Sequence, residues 1–154
     1  MKCLVMLSLL SLLFGCSPQP NQSRAPLVVE DATPIVGAGR ATTEALGIET
    51  LGGVFTPLIE AGTAVPCSVS EIFSTATDGQ AQIMVAPFRG TNRMAASNHP
   101  LGRFQIVGIP SAPRGTPQVE VTLTITERQI LISARDLRRK AGLEVQRMSG
   151  QTQL

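Results

Sequence analysis

Tryptophan and tyrosine are missing from these 154 residues, and five Phe supply all the aromatic rings. A core must therefore be assembled from Val, Ile, Leu and Ala in a chain that is 43% hydrophobic, and no aromatic ring is interleaved with the late basic residues to stack on bases. Histidine is reduced to His99, inside the turn-like stretch SNHPLG. A pair of imidazoles for metal binding or proton transfer is thus excluded. Cysteine is scarce too: Cys3, Cys16 and Cys67, with no CxxC and no Cys/His metal spacing. Charge of one sign is also lacking. The net charge is +2, and a balance this close to neutral gives no argument for nucleic acid as a partner. The late cluster Arg135, Arg138, Arg139 and Lys140 reads as a solvated turn. No GxxxxGK[ST] loop, nucleophile elbow or paired-carboxylate motif is present, so nothing in the residues argues for catalysis, a nucleotide or a metal, and the chain is expected not to be an enzyme. No cofactor is expected either.

What is present begins with an apolar run, CLVMLSLLSLLF, behind Lys2. It is too short to span a bilayer and suits the core of a signal peptide. The run closes in LLFGCS, which resembles the lipobox of bacterial lipoproteins, with Leu13 and Gly15 in place before Cys16 and Phe14 as a departure. That resemblance implies a signal over residues 1–15, lipidation of Cys16, and a membrane-anchored lipoprotein of the cell envelope on the periplasmic or outer-membrane side. A cleaved ordinary signal and a retained single-pass anchor are the alternatives. Cys67 then has no cysteine partner and reads as a bystander in a loop-like segment.

Residues 17–26, SPQPNQSRAP, read as an extended tether, and GAGRATT at 37–43 as a flexible linker rather than a phosphate loop. Residues 16–45 form the lipidated N-terminus, linker and insertion. From Leu46 onward short apolar runs recur, each closed by Gly, Pro, Asn or Asp. QVEVTLTIT (118–126) alternates strictly: Val119, Val121, Leu123 and Ile125 share one face, Glu120, Thr122, Thr124 and Thr126 the other. ILIS (130–133) should pair with it, and QIMVAPF (82–88), RFQIVGI (103–109) and LEVQRM (143–148) add strands. Pro87 should end or bulge its strand. TERQ lacks the Asp-Gly of a tight hairpin, and both features suggest a loosened fold. No segment after residue 40 keeps a helical period, so the class is all-β: an antiparallel sandwich or barrel over residues 46–150.

Three blocks, LGIETLGGVFTPLIEAGTAVP (46–66), FSTATDGQAQIMV (73–85) and LGRFQIVGIPSAPRGTPQVEVTLTI (101–125), resemble the peptide-binding β-sandwich of the seventy-kilodalton heat-shock chaperone (DnaK) family. LVVEDATP (27–34) resembles the apolar linker that joins that sandwich to the family's ATPase domain. The resemblance implies a channel for an extended peptide. Ile48, Phe73, Ile83 and Val85 match residues lining its apolar pocket, Leu51 and Ala76 the pair arching over the peptide, and Thr50, Ser74 and Gln80 those that contact its backbone. On pattern alone the four apolar residues would be sandwich core. The family's ATPase domain and helical lid find no counterpart here. The implied function is therefore binding of hydrophobic segments of unfolded proteins, holdase-like, without an ATPase domain of its own. A structural or decayed chaperone-derived lipoprotein is the alternative, and a third reading adds an ATPase partner acting in trans.

Overall fold

The computed structural model describes residues 24–31 and 35–149. The signal-type run and Cys16 lie outside the described residues. Within them the chain is all-β, with a single 3₁₀ turn, Ala95–Ser97, interrupting the strands. The strands are β1 (Leu27–Asp31), β2 (Ala45–Thr50), β3 (Val54–Ile59), β4 (Cys67–Phe73), β5 (Gln82–Val85), β6 (Pro87–Gly90), β7 (His99–Pro100), β8 (Arg103–Val107), β9 (Val119–Ile125), β10 (Gln129–Asp136) and β11 (Ala141–Met148). They form two antiparallel sheets. The larger runs β4-β9-β10-β11-β8-β5, with β1 added beside β10, and the smaller runs β3-β2-β6-β7.

Alternation decides which side of each strand faces inward. In β9, Val119, Val121, Leu123 and Ile125 are buried while Glu120, Thr122 and Thr124 face out, as the period of two requires. Ile130, Ile132 and Ala134 of β10, Phe104 and Ile106 of β8, and Leu46, Ile48 and Ile59 of the small sheet complete one continuous core. Each fully buried Leu or Ile contributes roughly 1.5–3 kcal/mol, so aliphatic burial replaces the missing large aromatics. On the outer face, Ser68 pairs with Thr124 and Ser70 with Thr122, each hydroxyl pair at 2.8 Å.

Several segments differ from the sequence reading, each for a physical reason. The run expected at 82–88 is two strands. Pro87 ends the ladder to β8, and the chain passes into the other sheet, where Pro87 lies opposite Ile48. Pro87 is fully buried, so it marks a crossing between sheets rather than a loosened strand. The TERQ hairpin is tight without Asp-Gly. The Thr126 hydroxyl oxygen accepts the Gln129 and Arg128 N–H groups, and the hydroxyl donates to the Gln129 carbonyl. Cys67 opens β4 opposite Ile125 and is buried in the core, not set in a loop.

The stretch read as a flexible linker is a folded turn. Thr42 is buried and bonds the Glu60 carbonyl through its hydroxyl, while its hydroxyl oxygen accepts the Thr63 N–H. Backbone bonds tie Gly37 to Ala41, Thr42 to Thr63 and Val65 to Arg40. Farther upstream, part of the 16–45 segment lies in the large sheet: Leu27 and Val28 pair with Ile132 and Leu131 of β10, and Val29 enters the core. Arg147 donates to the Val29 carbonyl, and Arg24 pairs with Glu144. Hydrogen bonding from Gln146 and then from Arg24 holds the exposed Glu144 carboxyl below the usual carboxylate range. Of the basic cluster, Arg138, Arg139 and Lys140 follow β10 in a turn, as expected, with the Arg138 and Arg139 N–H groups donating to buried Asp136 Oδ1, whereas Arg135 lies within β10 and pairs with Glu120 at 2.7 Å.

Gly47 explains why GIETLGG needs a glycine inside a strand. The β2–β3 register shifts between Leu46 and Gly47, and Gly47 lies opposite Pro57. A Cβ at Gly47 would sit 2.1 Å from the Thr56 carbonyl oxygen and 2.8 Å from Pro57 Cα, both backbone atoms. Gly47→Ala is therefore expected to lose about 3 kcal/mol or more in urea unfolding. Gly39→Ala, which meets nothing within 4 Å, should stay within about 0.5 kcal/mol of the parent. Equal stability of the two variants would refute this reading of the β2–β3 approach.

Candidate functional site

The β2–β3 hairpin turns through Leu51, Gly52 and Gly53, closed by a Gly53 N–H to Thr50 carbonyl bond of 3.1 Å. Gly52 and Gly53 have φ of 85° and 72°, the left-handed region where a side chain is strained. The Thr50 hydroxyl bonds the Val54 carbonyl and the Thr56 hydroxyl across the hairpin, at 3.2 and 3.0 Å. Segment Arg93–Ala95 braces the turn from outside: Ala95 N–H donates to the Gly53 carbonyl, and Phe55 N–H to the Arg93 carbonyl. The turn is thereby fixed while the Leu51 side chain at its tip is 99% exposed.

Against this hairpin lies the end of β5. Glu49 N–H donates to the Ala86 carbonyl at 3.1 Å, joining the end of β2 to the crossing between sheets. The two segments enclose an open groove of about 490 Å³ lined by residues 49–53, Met84, Val85, Ala86 and Arg103. Glu49 and Arg103 give its rim one charge of each sign. β5 ends the strand order of the large sheet, and its Met84 and Val85 line this groove.

Of the residues singled out from sequence, Thr50, Leu51 and Val85 meet in this groove. Ile48 (6% exposed), Ile83 (6%) and Val85 (4%) are packed into the main core, and partly buried Phe73 packs against the same cluster. Ser74, Ala76 and Gln80 belong to a different construction, the loop that follows β4. Here the Ser74 hydroxyl donates to the Pro117 carbonyl at 2.6 Å, and Gly79 N–H to the Ala112 carbonyl. Gln80 Oε1 accepts the Ala76 and Thr77 N–H groups at 3.0 and 3.2 Å, while its amide nitrogen donates to the Gln82 carbonyl. Thr50, Ser74 and Gln80 thus each make side-chain bonds that shape the two loops. His99, in β7, lies opposite Arg89, away from the groove lining.

The sequence reading missed Glu49, Met84 and Arg103. Met84 carried a signal: in QIMV it alternates with Ile83 and Val85, so it had to point away from the core. Among the described residues, no group of three or more His, Cys, Asp or Glu could hold a metal ion.

Gln80→Ala should release the Ala76 and Thr77 amides. Their hydrogen exchange is expected to quicken about fivefold, the effect of losing about 1 kcal/mol of hydrogen bonding, while β9 amides keep their rates. Unchanged exchange at both amides would contradict the loop-holding role.

Comparison with known proteins adds to this geometry. The family model described as Hsp70 protein matches residues 19–153. A Chaperone protein DnaK of Methanothermobacter thermautotrophicus is 53% identical over 112 residues, 72% of this chain and 17% of the relative. A Chaperone protein DnaK of Anaplasma marginale is 54% identical over 92 residues, 59% of this chain and 14% of the relative. Heat shock protein hsp-6 of Caenorhabditis elegans is 54% identical over 96 residues, 62% and 15% respectively. The chain therefore spans about a sixth of the length of the curated relatives it matches. These matches overturn the expectation that the chain is not an enzyme. The matched proteins belong to the family whose resemblance brings an ATPase domain, and a missing motif in so short a span does not describe the activity of a whole protein.

Proposed function

This chain belongs to the Hsp70 family, and from that premise we propose that its two-sheet domain binds extended apolar segments of unfolded polypeptides in the groove between the Leu51 hairpin and β5. The observation that carries the reading is Leu51. A rigid turn holds this side chain 99% exposed at the mouth of the groove. Leaving such a residue in water forgoes roughly 1.5–3 kcal/mol of burial, which an incoming apolar segment would recover. An extended segment beside the outer edge of β5 would add main-chain hydrogen bonds, as in other cases of strand addition. Ile48, Phe73, Ile83 and Val85 would form the apolar ground beneath it, and the loop built on Ser74, Ala76 and Gln80 the opposite wall. The near-complete burial of Ile48 and Ile83 favours a second reading, in which these residues serve the core alone and the domain is structural.

A fluorescently labelled Leu-rich heptapeptide titrated with the full 154-residue chain separates the two. Saturable binding is expected, weakened about tenfold or more by Leu51→Asp, the loss of about 1.4 kcal/mol or more of apolar contact. Leu51→Asp touches no core residue, so its fold should persist in circular dichroism. A folded parent that binds no peptide would establish the structural reading instead.

Cys16 carries the second part of the proposal, a lipid anchor that would hold the domain in the cell envelope. Its support is the short apolar run ending in LLFGCS. Expression in a Gram-negative host with radiolabelled palmitate should label the chain in the membrane fraction, and Cys16→Ser should abolish the label. A parent chain that takes up no label would refute the anchor.

A further inference from the structure

Three methionines stand at the surface of the described residues: Met84 (48% exposed), Met94 (46%) and Met148 (42%). One of them, Met84, lines the groove, next to Leu51 and Val85. Its thioether is unbranched and polarizable, suited to packing against apolar side chains of varied shape. The same exposure that would offer it to a ligand opens its sulfur to small oxidants. Met94 and Met148 are open to the same oxidants without lining the groove, but Met94 lies in the segment that braces the Leu51 turn, its Cε close to Gly53, so replacing Met94 and Met148 together isolates Met84.

We propose that Met84 is a reversible oxidation site through which peroxides lower peptide binding in the groove; this regulation rests on the peptide-binding reading given above. A lone pair on Met84 Sδ attacks one oxygen of hydrogen peroxide. The O–O bond breaks as the S–O bond forms, and the departing oxygen takes the proton of the transferred hydroxyl and leaves as water. Sulfur gives up two electrons, which the peroxide gains. The product, methionine sulfoxide, is polar and chiral where the thioether was apolar, and methionine sulfoxide reductases return it to the thioether. In the groove, the S–O group would demand hydrogen-bonding partners that an apolar ligand side chain cannot give. On the same lining Glu49 offers the new acceptor only another acceptor, while Arg103 offers N–H donors. An S–O group turned toward Arg103 would draw the Met84 side chain to the charged rim and away from an apolar ligand.

The test treats the full chain with hydrogen peroxide, maps sulfoxides by peptide mass spectrometry, and titrates the labelled heptapeptide before and after. Oxidation of Met84 is expected to weaken binding by about tenfold, with recovery after incubation with both stereospecific sulfoxide reductases. Met84→Leu should show the same affinity before and after peroxide, whatever its starting value, whereas the Met94→Leu/Met148→Leu double variant should remain sensitive. Three results overturn the proposal: Met84 left unoxidised while Met94 and Met148 react, binding unchanged by a Met84 sulfoxide, or a Met84→Leu chain as sensitive as the parent. Absence of binding before any peroxide is added would remove the peptide-binding reading and this regulation with it. Binding that survives oxidation would remove only the regulation.

Discussion

Ala86 and Pro87 carry the chain from one sheet to the other, and the groove depends on that crossing. Pro87 has no N–H to give a ladder, so β5 stops after four residues. The Pro87 carbonyl is still used, accepting the Leu101 N–H, while the ring is fully buried. One residue earlier, the Ala86 carbonyl takes the Glu49 N–H and fixes the end of β2 against the end of β5. With those two strand ends held together, the following turn has to project Leu51 beyond both sheets. Gly47 makes the same approach work from the other side, because only a residue without Cβ lets β3 lie so close at the register shift.

A core without Trp or Tyr offers few large rings to weigh loops down, and this domain holds its loops by single polar side chains instead. Thr42 fastens the 37–43 turn to the 60–63 segment. Gln80 gathers the turn after β4, Thr126 closes the β9–β10 hairpin, and Asp136 caps the basic turn. The Asn98 side chain bonds the Asn92 N–H and carbonyl and the Met94 carbonyl. Each device contributes on the order of 1 kcal/mol, small beside the aliphatic core but enough to select one loop geometry among many.

The same division explains what was legible in the sequence. β9 could be read residue by residue, because strict alternation is a local signal that tertiary packing had no reason to override. The segment at 27–31 was read as linker, since the edge that receives it, on β10, is about a hundred residues away and leaves no mark in LVVED itself. GAGRATT looked flexible for a related reason: its glycines are visible, whereas the burial of Thr42 against Glu60 and Thr63 is not. At the site, Ile48, Ile83 and Val85 carry one signal for two roles, core and pocket, and only the resemblance separated them. The resemblance points Thr50, Ser74 and Gln80 toward a ligand backbone, and their side chains also make bonds within the two loops that no local pattern in the sequence announces. Met84 was readable by alternation alone, once its neighbours were placed inside.

The length of β5 also bounds what the groove can do. Four residues at about 3.3 Å each give an edge of roughly 13 Å, and alternate residues point outward, so an added strand gains about four main-chain hydrogen bonds at most. At roughly 0.5–1.5 kcal/mol net for each, those bonds fall near or below the cost of immobilising a flexible peptide, several kcal/mol. Main-chain pairing with a bound segment would therefore set direction and register but could not carry affinity. Apolar burial has to supply the surplus, and the exposed groups able to supply it are Leu51 at the tip and Met84 on the wall. A short edge beside a buried proline also limits unwanted pairing between copies, because a longer unpaired strand would invite sheet-to-sheet association. If the groove binds as proposed, the crossing that makes the edge short would leave discrimination among extended chains to two side chains rather than to the backbone.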